Sequence, residues 1–224
     1  MSAEATATSS RDEVLRRIRA AIGGSPADAG TIRSEWAGLP RNYTRTSSLD
    51  HEVILELLED RLRDYDATVV RAKAGAIGSE MGRILAERGK RRLVVPAGLV
   101  EVLGESLPAG FEFVVDHGLT TLELDGFEGV VTASTVAIAE TGTIVLQNVP
   151  GQGRRAPTLV PDYHLCIVRT ADVVETVPEA MARLGPTASL ATTFVSGPSA
   201  TADIEMTRIK GVHGPRFLDV ILST

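Results

Sequence analysis

The sequence predicts an α/β protein with a mixed, mostly parallel sheet covered by helices and an N-terminal helical extension. Three observations carry this. Between residues 49 and 116, amphipathic helical stretches alternate with short aliphatic runs, as βαβ units require. Around residues 130–146, two β-branched, small-residue runs flank Glu140-Thr141-Gly142, which reads as a tight turn between antiparallel strands. Aromatic residues are only 4% of the chain against 43% hydrophobic, so the core is aliphatic and alanine-rich.

The elements follow in order. Residues 1–9 are small and polar. Ser10 and Glu13 match a capping box, and Val14, Leu15, Ile18, Ala21 and Ile22 share one helical face that ends at Gly23-Gly24. Residues 23–46 show no period and read as a loop or arm that packs either on a second copy of the chain or back on its own domain. Ser47-Ser48 then opens a helix with Leu49, Val53 and Leu57 in one row and Ile54, Leu58 and Leu62 in another. Strands are expected at 67–72, 92–95 and 111–116, with helices at 77–88 and 99–107 and a helical turn at 120–127. Val130, Thr132, Ser134, Val136 and Ile138 alternate as one buried strand, and Thr143–Leu146 forms the next. Beyond a glycine-rich loop at 150–155, a strand at 163–169, a helix at 171–184 and strands at 191–196 and 217–222 complete the chain. The organisation is therefore an N-terminal helix and arm, 1–46, and an α/β domain, 47–224.

Charge and composition exclude several classes of function. Residues 1–100 carry 16 basic and 14 acidic side chains, whereas 101–224 carry 7 and 15. The C-terminal part would repel a phosphate backbone, so nucleic acid is not expected as a partner. Cys166 is the single cysteine, which leaves no disulfide, thiolate zinc site or cysteine-ligated iron–sulfur cluster. Its setting, His164-Leu165-Cys166-Ile167-Val168, reads as a buried strand in which the thiol is a small hydrophobe. The four histidines show no metal-ligand spacing. No apolar run reaches the roughly 18 residues of a membrane span and no signal peptide opens the chain, so a cytoplasmic protein is expected.

Four stretches carry candidate chemistry. Glu140 is a lone carboxylate between apolar strands, which must be paired or exposed at a strand end. Ser196-Gly197-Pro198-Ser199-Ala200-Thr201-Ala202-Asp203-Ile204-Glu205 follows a strand and opens a helical turn, offering backbone N–H groups and hydroxyls to an anion or carbonyl. His213 stands in Gly211-Val212-His213-Gly214-Pro215, where glycines allow close backbone approach and the imidazole suits acid–base work. Arg154 and Arg155, behind Gly151 and Gly153, suit a carboxylate or phosphate. The expected pocket has Glu140, Asp203, Glu205 and His213 as catalytic candidates, with Thr141, Gly142, Thr143, Arg154, Ser199, Thr201 and Gly214 binding the ligand. No metal is assigned to it.

Together these stretches resemble the LUD-domain family, and within it the lactate-utilisation protein C group. The likeness rests on Ile138-Ala139-Glu140-Thr141-Gly142-Thr143, Gly153-Arg154-Arg155, Leu159-Val160-Pro161 with His164, Gly197-Pro198-Ser199-x-Thr201-Ala202-Asp203-Ile204-Glu205, and the His213 motif. It covers roughly residues 45–224. The resemblance implies a fold like that of ribose-5-phosphate isomerase and CoA-transferases. It also implies a part in oxidising L-lactate to pyruvate beside iron–sulfur subunits, with no cluster in this chain, and a small anionic ligand. CoA-transferases of that fold use a glutamate in a Glu-x-Gly turn as nucleophile. By that analogy Glu140 would make the chain an independent CoA-transferase-like or formyltetrahydrofolate cyclo-ligase-like enzyme.

Overall fold

The computed structural model describes residues 9–23, 28–104, 107–201, 209–211 and 213–224, in two units, Met1–Tyr43 and Thr44–Thr224. In the first unit, helix α1 (Ser10–Ile22) is capped by Ser9, one residue earlier than expected. The Ser9 hydroxyl accepts from the Asp12 N–H, and Gly23 closes the helix in the left-handed conformation. The stretch expected as a loop contains a second helix, α2 (Ala29–Gly38). The Asp28 carboxylate accepts from the Gly30 and Thr31 N–H groups, and that cap starts a helix without an amphipathic stripe.

The second unit is built on six parallel strands: β1 (Thr68–Ala72), β2 (Arg92–Pro96), β3 (Glu112–Asp116), β4 (Gly129–Ala133), β7 (Tyr163–Arg169) and β12 (Phe217–Ser223). Their spatial order is β1-β12-β7-β4-β2-β3, every pair parallel. The antiparallel hairpin at Glu140 lies in a second sheet of four strands. There β5 (Val136–Ile138) pairs with β6 (Thr143–Gln147), flanked by β8 (Val173–Val174) and β9 (Thr192–Val195). The expected single strand from Val130 to Ile138 is thus two, because the chain leaves the large sheet at Ser134-Thr135 and enters the small one. The expected helix at 171–184 is a 3₁₀ turn, Thr170–Asp172, then β8, and only then helix α7 (Val177–Leu184).

Alternation along β7 sorts the layers. Leu165 and Ile167 face Met81, Ile84 and Leu85 of α4 (Ile77–Glu87) and Leu99 of α5 (Leu99–Leu103). Cys166 and Val168 face Leu58 and Leu62 of α3 (His51–Asp64), together with Ile144 and Leu146 of the small sheet. The small sheet turns its other side, Val136, Ile138 and Val145, to Ala180 and Leu184 of α7. Each such aliphatic side chain contributes about 2 kcal/mol on burial. The most deeply buried carboxylate among the described residues is Asp219 of β12, 1% exposed. Left alone it would cost several kcal/mol. Arg88 grips it with Nε and Nη2 at 2.9 and 2.6 Å, and the Tyr163 hydroxyl donates to it at 3.0 Å.

What positions the site is the return from the small sheet to the large one. A parallel strand must be entered at its amino end. Residues 148–162 therefore run back over the sheet beside α6 (Thr121–Asp125), with Ala156 and Val160 packed on Val94 and Val130. Gly151 anchors one end, its N–H on the Ala97 carbonyl at 2.7 Å and its carbonyl on the Ala133 N–H at 2.8 Å. Asp162 anchors the other, accepting from the Arg216 N–H at 2.9 Å just before β12.

Candidate functional site

Two clefts flank this crossing segment. One, of about 530 Å³, lies beyond the carboxyl ends of β2 and β3, where Pro96, Gly98, Asp116, Gly118, Pro150 and Arg154 form its wall. Strand order reverses between β2 and β4, so this is the switch point where open α/β sheets commonly take ligands. The other, of about 290 Å³, lies at the amino ends of β7 and β12. Its wall includes Arg155, Thr158, His164, Ser196, Ser199, His213 and Gly214.

The second cleft gathers three of the expected site residues. Ser199 is its hinge: its N–H donates to the Pro215 carbonyl at 2.8 Å and its carbonyl accepts from Gly211 at 2.9 Å. Its hydroxyl accepts from the His213 N–H at 3.2 Å, so the two motifs 197–201 and 211–215 are one structure. Where the helical turn was expected to open, Ala200–Thr201 forms β10 and pairs antiparallel with β11 (Ile209–Lys210); the rest of that stretch lies outside the described residues. Thr201 is in that ribbon. Asp203 and Glu205 lie outside the described residues.

The Glu140 turn stands apart from the cleft wall. Glu140 is exposed, its N–H bonded to the Glu175 carbonyl at 3.0 Å, and its carboxylate has no hydrogen-bond partner among the described residues. Full hydration makes a partner unnecessary. The carboxylate lines neither cleft. Thr141 and Thr143 reach the site only through hydroxyls: Thr141 Oγ1 lies 2.8 Å from Thr143 Oγ1, which lies 2.7 Å from Ser196 Oγ. Gly142 is a packing residue, since a Cβ there would come within 2.8 Å of Arg61 Cβ on α3. Gly197 leans on the same helix one turn later, where a Cβ would meet Tyr65 Cβ at 2.4 Å. Both turns are therefore seated on the end of α3.

The two adjacent arginines have different tasks. Arg154 closes its Nε/Nη2 edge on Asp116 at 2.7 and 2.9 Å and donates again to the Leu119 carbonyl. Burial raises the Asp116 pKa, but Arg154 and the Leu119 and Gly118 N–H groups outweigh this and hold it below the ordinary value. Arg154 thus belongs to a structural pair on the wall of the other cleft. Arg155 donates through Nη1 alone, to the Thr158 carbonyl and hydroxyl at 2.8 Å each. The residue is exposed overall and has no carboxylate partner among the described residues; what desolvation its guanidinium has lowers its pKa.

His164 is the residue the sequence reading passed over as a site group. It is 3% exposed, with Nε2 2.8 Å from Thr132 Oγ1. Burial, helped by the Arg155 charge, lowers its pKa to about 4, so the ring is neutral at neutral pH. The available signal was a histidine inside the apolar run 164–168, as odd there as Glu140 is in its own setting. Beneath it Cys166 is pushed up to about 12 by burial, which keeps it a thiol rather than a nucleophile. Among the described residues no three His, Cys, Asp or Glu side chains gather as a metal site.

This arrangement, a parallel sheet, a small mixed sheet docked on it and a cleft closed by the 197–201 and 211–215 motifs, coincides with a known module. Residues 124–223 match the LUD domain family model. The class is therefore that of LUD-domain α/β proteins. A crystal structure of a DUF162 family protein from Deinococcus radiodurans is similar, with a TM-score of 0.67 and 34% identity over 79% of this chain and 99% of that one. "Lactate utilization protein C" of the same organism is 38% identical over 213 residues, 94% of this chain and 93% of the relative. Its counterpart in Geobacillus thermodenitrificans is 28% identical over 96% of both chains. The chain belongs to the lactate utilization protein C family. No helix among the described residues is long and apolar enough to cross a membrane.

Proposed function

We propose that the chain is a component of L-lactate utilisation, the oxidation of L-lactate to pyruvate. In this reading it acts beside iron–sulfur partner proteins, carries no cluster itself, and holds a small anionic ligand in the cleft at the amino ends of β7 and β12. The pathway comes from the family to which the chain belongs, whose members carry that name along their full length. The observation that supports the anion is Arg155. A guanidinium stays charged, and this one, exposed at the cleft wall with no carboxylate beside it among the described residues, leaves a charge there that an anion would balance. Thr158 occupies only Nη1, so the Nε/Nη2 edge remains to take two oxygens side by side. The reading of Glu140 as the nucleophile of an independent acyl-transfer enzyme gains no support, because that carboxylate lines neither cleft and has no hydrogen-bond donor among the described residues.

The test is growth on L-lactate of a strain lacking this chain. The unaltered chain is expected to restore growth. Arg155→Gln, folded by circular dichroism, is expected to fail, with affinity for small carboxylates reduced at least about tenfold, as the loss of a charged hydrogen bond implies. Full restoration by Arg155→Gln would overturn the anion site. A tagged chain recovered from lactate-grown cells is expected to bring with it proteins showing iron–sulfur absorption.

A further inference from the structure

His164 does more than fill the floor of the cleft, because a chain of hydrogen bonds beneath it decides which ring nitrogen carries the proton. Nε2 lies 2.8 Å from Thr132 Oγ1. The Thr132 hydroxyl donates to Cys166 Sγ at 3.6 Å, and Cys166 Sγ donates to the Ala133 carbonyl at 3.8 Å. The last member can only accept. With the thiol proton on that carbonyl and the hydroxyl proton on sulfur, Thr132 Oγ1 is left to accept from the imidazole. This order makes three hydrogen bonds, whereas the reverse order makes two. The proton therefore sits on Nε2 and the lone pair on Nδ1.

Arg155 lines the same cleft as His164. Nδ1 has no hydrogen-bond partner among the described residues. Among the described residues no fully buried side-chain nitrogen or oxygen lacks one, so Nδ1 opens into the cleft that His164 lines. The cleft thus offers a charged double donor, Arg155, and a neutral acceptor, Nδ1. Three arginine edges among the described residues of this unit show what the open one is fitted for. Arg88 closes Nε and Nη2 on Asp219, Arg154 closes them on Asp116, and Arg216 closes them on Asp162 at 2.6 and 2.9 Å.

We infer that the cleft prefers a 2-hydroxycarboxylate to the corresponding 2-oxocarboxylate, the carboxylate on the Nε/Nη2 edge of Arg155 and the hydroxyl hydrogen on Nδ1 of His164. This rests on the anion site proposed above and names its ligand class. A 2-oxo acid has no hydrogen to give, so its oxygen and the Nδ1 lone pair would face each other unpaired. Thr132 acts here as a positioning residue, fixing the tautomer through Nε2.

Calorimetric titration of the full chain with L-lactate, pyruvate and propionate tests this. Lactate is expected to bind about tenfold or more tighter than pyruvate, the value of one hydrogen bond to an otherwise unsatisfied group. Thr132→Val releases the tautomer and is expected to erase the lactate preference while leaving propionate affinity unchanged. Nitrogen-15 spectra of the unaltered chain, labelled at histidine, give the tautomer without any substitution. Protonation of His164 at Nδ1, or pyruvate binding as tightly as lactate, would overturn the inference. If all three acids bind equally and Arg155→Gln abolishes them, the selectivity falls and the anion site stands. If none binds, both fall together.

Discussion

A single carboxylate separates the roles of neighbouring arginines. Arg154 and Arg155 are adjacent and chemically identical, yet Asp116 captures one and leaves the other to the cleft. Removing Asp116 should therefore not create a second ligand-binding arginine so much as loosen the crossing segment that carries both. The glycines are as specific. Gly197 has φ +80°, and a Cβ there would stand 2.4 Å from Tyr65 Cβ. Gly197→Ala therefore adds a left-handed backbone penalty to a clash with the end of a rigid helix, and is expected to cost about 2–4 kcal/mol. Gly89 supplies the control. Its φ is +66°, but nothing lies within 4 Å of its absent Cβ, so Gly89→Ala is expected to cost only about 1 kcal/mol. Urea midpoints of the two variants measure the difference. Equal midpoints would mean that Gly197 does not seat the 197–201 turn on α3.

Elements form where local and tertiary signals agree, and the caps show it. In α7 the Thr176 hydroxyl accepts from the Glu179 N–H at 3.4 Å while the Glu179 carboxylate accepts from the Thr176 N–H at 2.9 Å. The second Glu179 oxygen takes the Ser47 N–H at 3.0 Å, tying the approach to α3 to the far layer. Thr176→Ala is expected to cost about 1 kcal/mol, and Glu179→Ala more, since it frees two backbone donors at once; thermal melts of both variants test the order. That Thr-x-x-Glu signal lay in the sequence, but the apolar period over 171–184 hid it, so β8 was absorbed into an expected helix. Helix α2 was illegible for the opposite reason: its cap at Asp28 has no hydrophobic stripe behind it. By contrast β7 was read correctly at Tyr163–Arg169, because a continuous apolar run flanked by Pro161-Asp162 has few alternatives. In the site, Ser199, His213 and Gly214 were legible from their glycine and hydroxyl pattern. The separation of Arg154 from Arg155 was not, since it is made by Asp116, a residue 38 positions away.

At the scale of the whole molecule, acid stability separates the groups that the fold treats differently. His164 is buried neutral, with its pKa lowered from 6.5 to about 4. Above pH 6.5 neither the folded nor the unfolded chain protonates this ring, and its full contribution to stability is present. As pH falls from 6.5 to 4 the unfolded chain binds a proton that the folded chain refuses, and about 3 kcal/mol is lost across that window. The paired carboxylates act lower. Asp116, held below 3.8 chiefly by Arg154 against its own burial, stabilises above the unfolded value, as does Glu59, held below 4.5 by Arg71 and Arg63 against its own burial. Their contributions disappear only as pH falls through about 4 and below. The unaltered protein is therefore expected to lose stability in two stages, the first beginning near pH 6.5. His164→Gln keeps a neutral polar group but cannot titrate, so it should be less stable at pH 7, flat between pH 6.5 and 4.5, and parallel to the unaltered protein below pH 4. Guanidinium unfolding across pH 3–8 measures both curves. A variant that kept the upper slope would place its origin elsewhere and remove the neutral imidazole, on which the proposed hydroxyl recognition depends, from the floor of the cleft.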